Sequence, residues 1–120
     1  MTRRATDRLS RLSALAALIA DREVAEVAAA SAVCTEIEHR IAEIARHRGQ
    51  LAGSAEDPVH AALMGHQSQR LRTVQTEAAE RLARAKVDLE MAKAKARPAI
   101  GRKAVLEKLL AEARRADQRS

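Results

Sequence analysis

Apolar residues recur along this chain at alternating spacings of three and four, the spacing that keeps one stripe of side chains on one face of a helix. Starting at Leu9, the stripe runs Leu9, Leu12, Ala16, Ile19, Glu23, Val27, Ala30, Cys34, Ile37, Ile41, Ile44, Arg48 and Leu51, with one step of four followed by four around Glu23. A second stripe runs Leu71, Val74, Ala78, Leu82, Ala85, Leu89, Ala92, Ala96, Ala99, Lys103, Leu106, Leu110 and Ala113, again with one such step. Eleven of the first thirteen positions and twelve of the second thirteen are apolar, against about half expected from composition. Sustained spacing of this kind predicts coiled-coil seams, with the irregular steps as stutters where the supercoil locally unwinds. Beyond the heptad there is no internal repeat.

Between the stripes lies Gly49 to Pro58, the one segment that gathers Gly, Ser, Asp and Pro. It predicts the turn of a hairpin, at about residues 53–57. Asp57 suits an N-cap and Pro58 the first helical position, so the second helix is expected to start there, while the first is expected over about residues 6–52. At ~1.5 Å per residue, arms of roughly 40 to 45 residues reach about 60 to 70 Å. The segment from Val59 to Gln69, with Gly65 inside it, predicts a looser tip. Pro98 removes a backbone donor and biases Arg97 away from helical geometry, with Gly101 close behind. The second helix is therefore expected to kink or to end near residue 97, leaving a further helical segment over about 99–117.

Composition narrows what such helices can pack. There is no Phe, Tyr or Trp, and about half of the 47% hydrophobic fraction is alanine. Such a chain cannot fill a broad interior, but it can zip two helices along a narrow seam. The fold class expected is all-α, an antiparallel two-helix coiled-coil hairpin in a single domain.

Charge adds a direction. Of the net +6, residues 1–12 carry four arginines against one acid, residues 13–96 eleven basic against twelve acidic residues, and residues 97–120 seven basic against three acidic. In a hairpin both basic ends fall together, over a near-neutral remainder. The clustered residues are Arg3, Arg4, Arg8, Arg11, Arg97, Arg102, Lys103, Lys108, Arg114, Arg115 and Arg119. A charged end on a neutral stem suits docking on an acidic partner. Nucleic acid is the other acidic candidate, but single-strand binders stack bases on aromatic side chains, which this chain lacks, and the basic residues form no dense block ahead of the heptads.

Chemistry is sparse. His39, His47, His60 and His66 show no i, i+4 pair and no metalloprotease motif, and read as solvated surface histidines. No phosphate loop, nucleophile elbow or dinucleotide fingerprint is present, so neither an enzyme, a cofactor nor a metal is expected. The single cysteine, Cys34, falls on the seam, where a free thiol packs as a small hydrophobe. It pairs with no second cysteine, and the default location is cytoplasmic. Residues 1–12 lack the apolar core of a signal peptide, and no stretch approaches the roughly 20 apolar residues of a membrane span. Glu23 and Arg48 interrupt the seam, either to fix register and partner choice or because the seam frays beside a stutter and beside the turn.

Leu9-x-x-Leu12-x-x-Leu15, the Ala- and Glu-rich first arm, the short turn and the closing Arg102-Lys103-Ala104-Val105-Leu106-Glu107-Lys108-Leu109-Leu110 together resemble the FliJ/SctO group, the stalk proteins of flagellar and virulence type III export. The resemblance implies a hairpin similar to the central stalk of rotary ATPases. Its basic end would enter the pore of a hexameric export ATPase, with Arg3, Arg4, Arg8, Arg11, Arg102, Lys103, Glu107, Lys108 and Leu109 as contacts. Other surfaces would meet the export gate and export chaperones, and membrane association would be peripheral, through those partners. The expectation from a different class is a structural or adaptor coiled coil that self-associates through uncovered seam surface.

Overall fold

A computed structural model describes residues 2–52 and 57–119. Among them there are two α-helices and no strand: α1, Arg3–Ala52, and α2, Pro58–Arg119. The fold is an all-α helical hairpin, as the two stripes predict. The turn expected at about residues 53–57 falls, apart from Asp57, outside the described residues.

Both helix starts are capped. Thr2 Oγ1 accepts from the Ala5 amide at 3.2 Å, and the Thr6 amide donates to the Thr2 carbonyl at 3.1 Å, so α1 begins three residues earlier than the seam pattern indicates. Asp57 Oδ1 accepts from the His60 amide at 2.6 Å, the N-cap bond expected of it, and Pro58 occupies the first helical position.

Pro98 does not end α2, and residues 99–117 are no separate segment: the helix runs through to Arg119. Proline forfeits one bond, the one its missing N–H would give to the Ala94 carbonyl. Ala94, Arg97 and Pro98 are all exposed, so water can satisfy that carbonyl, and the seam positions Ala96 and Ala99 on either side stay buried. Val59 to Gln69, expected to be looser, is helical too. Only His60, Met64 and Ser68 are shielded there, and Val59 and Leu63 are exposed.

The chain divides into two compact units. The terminal unit comprises Met1–Ala29 and Leu89–Ser120, and the turn unit comprises Ala30–Asp88. Each contains one stretch of α1 packed against one stretch of α2.

The turn unit is sealed by Cys34, Ile37 and Ile44 against Ala78 and Ala85, with Ile41, Leu71, Val74 and Leu82 half-buried beside them. Aliphatic side chains meet alanine here, so large faces small across the seam. Arg48, also half-buried, donates from Nη1 to Gln75 Oε1 at 2.7 Å. That bond satisfies one end of the seam guanidinium, while its buried Nε makes no hydrogen bond among the described residues.

The terminal unit is built differently. Its core is Ala20, Ala96, Ala99, Leu110 and Ala113, and the polar residues Thr6, Ser13 and Glu23 are buried among them. Leu9, Val27, Leu89 and Leu106 are half-buried. Two expected seam residues are not in the seam: Leu12 is 53% exposed and Ile19 44%, whereas their neighbours Ser13 and Ala20 are at 6% and 2%. With that exchange the α1 seam reads Thr6, Leu9, Ser13, Ala16, Ala20, Glu23, Val27, Ala30, an unbroken alternation of three and four, so α1 has no stutter at Glu23. A seam that faces Ala96, Ala99 and Ala113 fills space with small side chains, and bulky Leu12 and Ile19 turn to its flank.

Antiparallel register in the terminal unit is set by polar pairs. Thr6 Oγ1 donates to Asp117 Oδ2 at 2.6 Å. Lys95 Nζ lies 3.5 Å from Glu23 Oε2 and 3.5 Å from Glu26 Oε2, and Lys103 Nζ lies 3.9 Å from Asp21 Oδ1.

Candidate docking face on the terminal unit

That register puts Leu12 level with Leu109 and Ile19 level with Arg102, on the flank where Glu26 meets Lys95. On α1, Leu12, Leu15 and Ile19 follow one another at spacings of three and four, and all are exposed. They form a second stripe beside the seam. On α2 the same flank presents Val105 and Leu109, also exposed. Between the two lies an open groove of about 540 Å³, walled by Ile19, Arg102 and Val105 and floored by Ala16, Ala99 and Leu106. A separate, smaller concavity lies on α1 between Arg8, Arg11, Leu12 and Leu15. Contiguous exposed apolar surface rimmed by polar groups is characteristic of interaction sites.

Charge around this flank is mostly positive. Arg8, Arg11 and Arg102 are exposed and, among the described residues, make no ion pair. Arg22, further along, is held by Glu26 at 3.7 Å. Counted by unit, the terminal unit carries fourteen basic against eight acidic residues and the turn unit eight against eight. The whole formal excess of +6 therefore belongs to the unit that bears the groove.

The residues expected to contact a partner do not share one face. Arg8, Arg102 and Leu109 gather on the groove flank, whereas Arg11, one heptad beyond Arg4, is exposed on the outer face of α1. Lys103 is half-buried at the seam beside Asp21, and so serves the hairpin itself. Glu107 falls, by the heptad spacing, on the opposite flank with Ile100, where Val24, Lys93 and Arg97 line a separate shallow depression. Arg3 shares that flank by spacing, and Arg4 and Lys108 point away from the seam, all three exposed. Leu15, Leu18 and Val105 belong to the exposed apolar surface, although the stripe reading assigned them no site. For Leu15 the signal is a second i, i+3, i+7 series, Leu12, Leu15, Ile19, which shares two members with the first stripe; Leu18 and Val105 belong to no such series.

Elsewhere the chemistry is plain. Cys34 is a buried free thiol. Among the described residues no three His, Cys, Asp or Glu side chains converge as metal ligands would, and no helix is long and apolar enough to cross a membrane.

Fold and surface together define a class: a two-helix coiled-coil hairpin with a basic, apolar-grooved face on the unit that holds both termini. Comparison with protein-family models, with curated proteins and with solved structures finds no match to this chain.

Proposed function

We propose that this chain is a non-enzymatic protein-binding hairpin whose terminal unit is its docking element, and that it works in the cytoplasm as a stalk of a type III protein export apparatus. One observation carries the docking role: the entire charge excess and the uncovered Leu12, Leu15, Ile19, Val105 and Leu109 surface coincide in one unit, while the other is electrically neutral. The export assignment rests on the sequence resemblance alone. In it, a hexameric export ATPase supplies the nucleotide chemistry and receives the basic unit, and the export gate and chaperones are further partners.

The test is co-elution of the purified chain with a purified hexameric type III export ATPase. The expected result is a complex weakened by the charge reversal Arg8→Glu with Arg102→Glu, at unchanged helicity. Failure of the ATPase and of export-gate subunits to bind would refute the stalk assignment. A second reading, a self-associating adaptor, draws on the same exposed leucines. It predicts a dimer in light scattering where the stalk predicts a monomer.

A further inference from the structure

The groove is too particular in its chemistry for a general sticky patch. Its walls set aliphatic Ile19 on one side against Val105 and the charged Arg102 on the other, over a floor of Ala16, Ala99 and Leu106. The groove face covers eight residues on each helix, from Leu12 to Ile19 and from Arg102 to Leu109, about two helical turns or ~10 Å. Two helices already lie side by side there, and the trough between a helical pair is the place where a third helix packs, seating an i, i+3, i+7 set of side chains.

A second copy of the chain fits poorly. Self-pairing through this flank would bring Arg8 and Arg102 of one molecule against the same arginines of the other, and like charges brought together in a desolvating contact are repulsive. A partner of opposite charge converts those same groups into attraction, since each is exposed and free of any ion pair among the described residues.

We infer that the groove between Ile19 and Val105 is a docking site for one amphipathic helix of a partner protein, with an apolar stripe of about two turns and acidic residues flanking it, completing a local three-helix bundle. This deepens the docking role proposed above and rests on it. Leu12, Leu15, Leu109 and the groove walls receive the partner's apolar stripe, and Arg8 and Arg102 pair with its carboxylates. Orientation and charge are thereby selected together, with the apolar contact giving adhesion and the arginine rim giving preference.

The experiment uses the full chain and two preformed, hydrocarbon-stapled 18-residue helices (a length of about five turns) with the same leucine stripe, one flanked by glutamate and one by lysine. Binding is read by fluorescence anisotropy at ~0.1 M salt. The glutamate helix is expected to bind at least about tenfold more tightly than the lysine helix, as two exposed ion pairs allow. Arg8→Glu with Arg102→Glu should reverse that order. Leu15→Glu and Val105→Glu should each weaken the glutamate helix at least about tenfold with helicity unchanged, because both residues are exposed. Leu63→Glu, an equally exposed leucine in the turn unit, should leave binding intact. Equal affinity for both helices, or indifference to Leu15→Glu and Val105→Glu, overturns the assignment. So does a chain that light scattering shows to be a dimer and that Leu15→Glu renders monomeric, since a second copy then fills the groove. A chain that captures the export ATPase but neither helix defeats the groove assignment alone, whereas one that selects the acidic helix but captures no ATPase or gate subunit supports the groove and defeats the stalk assignment alone.

Discussion

Glu23 is the residue at which packing and charge conflict most sharply, so its replacement by leucine is a demanding test of the seam. Its side chain is 9% exposed, and Oε2 makes no hydrogen bond among the described residues; its one compensation is Lys95 Nζ at 3.5 Å, on a side chain that is 61% exposed. Two unit charges at that distance attract by about 5 kcal/mol at an effective dielectric constant of ~20, but solvent around Lys95 reduces the useful part to about 1 kcal/mol. Removing a carboxylate from water costs several kcal/mol, so the pair as built falls short of what a leucine would give. Glu23→Leu should therefore stabilise the hairpin by about 1 to 2 kcal/mol, seen as a rise of roughly 4 to 8 °C in the melting midpoint by far-ultraviolet circular dichroism. Lys95→Ala should cost about 1 kcal/mol in the natural background and little beside Glu23→Leu, because its remaining partner, Glu26, is solvated and gains little from the pair. The reasoning is refuted if Glu23→Leu lowers the midpoint, or if Lys95→Ala costs the same in both backgrounds.

Further substitutions probe other parts of the structure. Gly65 lies within α2, and a Cβ built there meets nothing within 4 Å, so Gly65→Ala should gain about 0.5 to 1 kcal/mol in urea unfolding; a loss would show that α2 is not helical there. Ile37→Asp with Ile41→Asp places two carboxylates in the aliphatic seam of the turn unit and should cost more than about 4 kcal/mol, abolishing the cooperative melt, whereas Leu18→Asp on the exposed surface should change stability by less than ~0.5 kcal/mol. Asp57→Ala deletes the cap on the His60 amide and should cost about 1 kcal/mol, with faster amide exchange confined to the first turn of α2.

How far the sequence could be read depended on how local each determinant is. Asp57 and Pro58 were legible because capping is a two-residue effect, decided by a side-chain oxygen and a missing N–H whatever lies further away. Every position of the α2 stripe from Leu71 to Ala113 is shielded, and twelve of its thirteen residues are apolar, so its period alone marks the face. Thr2 went unseen as a cap because Arg3, Arg4 and Ala5 carry no apolar period to mark a helix beyond it. Pro98 leaves α2 unbroken because the one hydrogen bond it forfeits is lost on a side that faces water. The charge division was visible from the start, because it needs only the antiparallel topology. The docking face was hidden by the most natural assumption, that the largest apolar side chain within reach belongs in the seam.

Leu12 and Ile19 show why that assumption fails here. A seam chosen for stability alone would bury them, since sealing a half-exposed leucine or isoleucine is worth on the order of 1 kcal/mol. The terminal unit instead buries Ser13 and Ala20 and leaves the larger neighbours out, forgoing that gain at two consecutive turns. The turn unit makes the opposite choice with Ile37 and Ile44, so the pattern is not imposed by helix pairing as such. The small seam has a geometric consequence: it exposes Leu12, Leu15 and Ile19 together as one stripe, level with Val105 and Leu109 and edged by arginines without ion pairs. Those side chains contribute little to the hairpin, so glutamate at Leu15 or Val105 removes the adhesive surface and leaves the seam of Ala20, Ala96 and Ala99 as it was. Binding and folding are thereby assigned to separate residues of the same two helices, which allows a loss of binding in those variants to be measured on a folded protein.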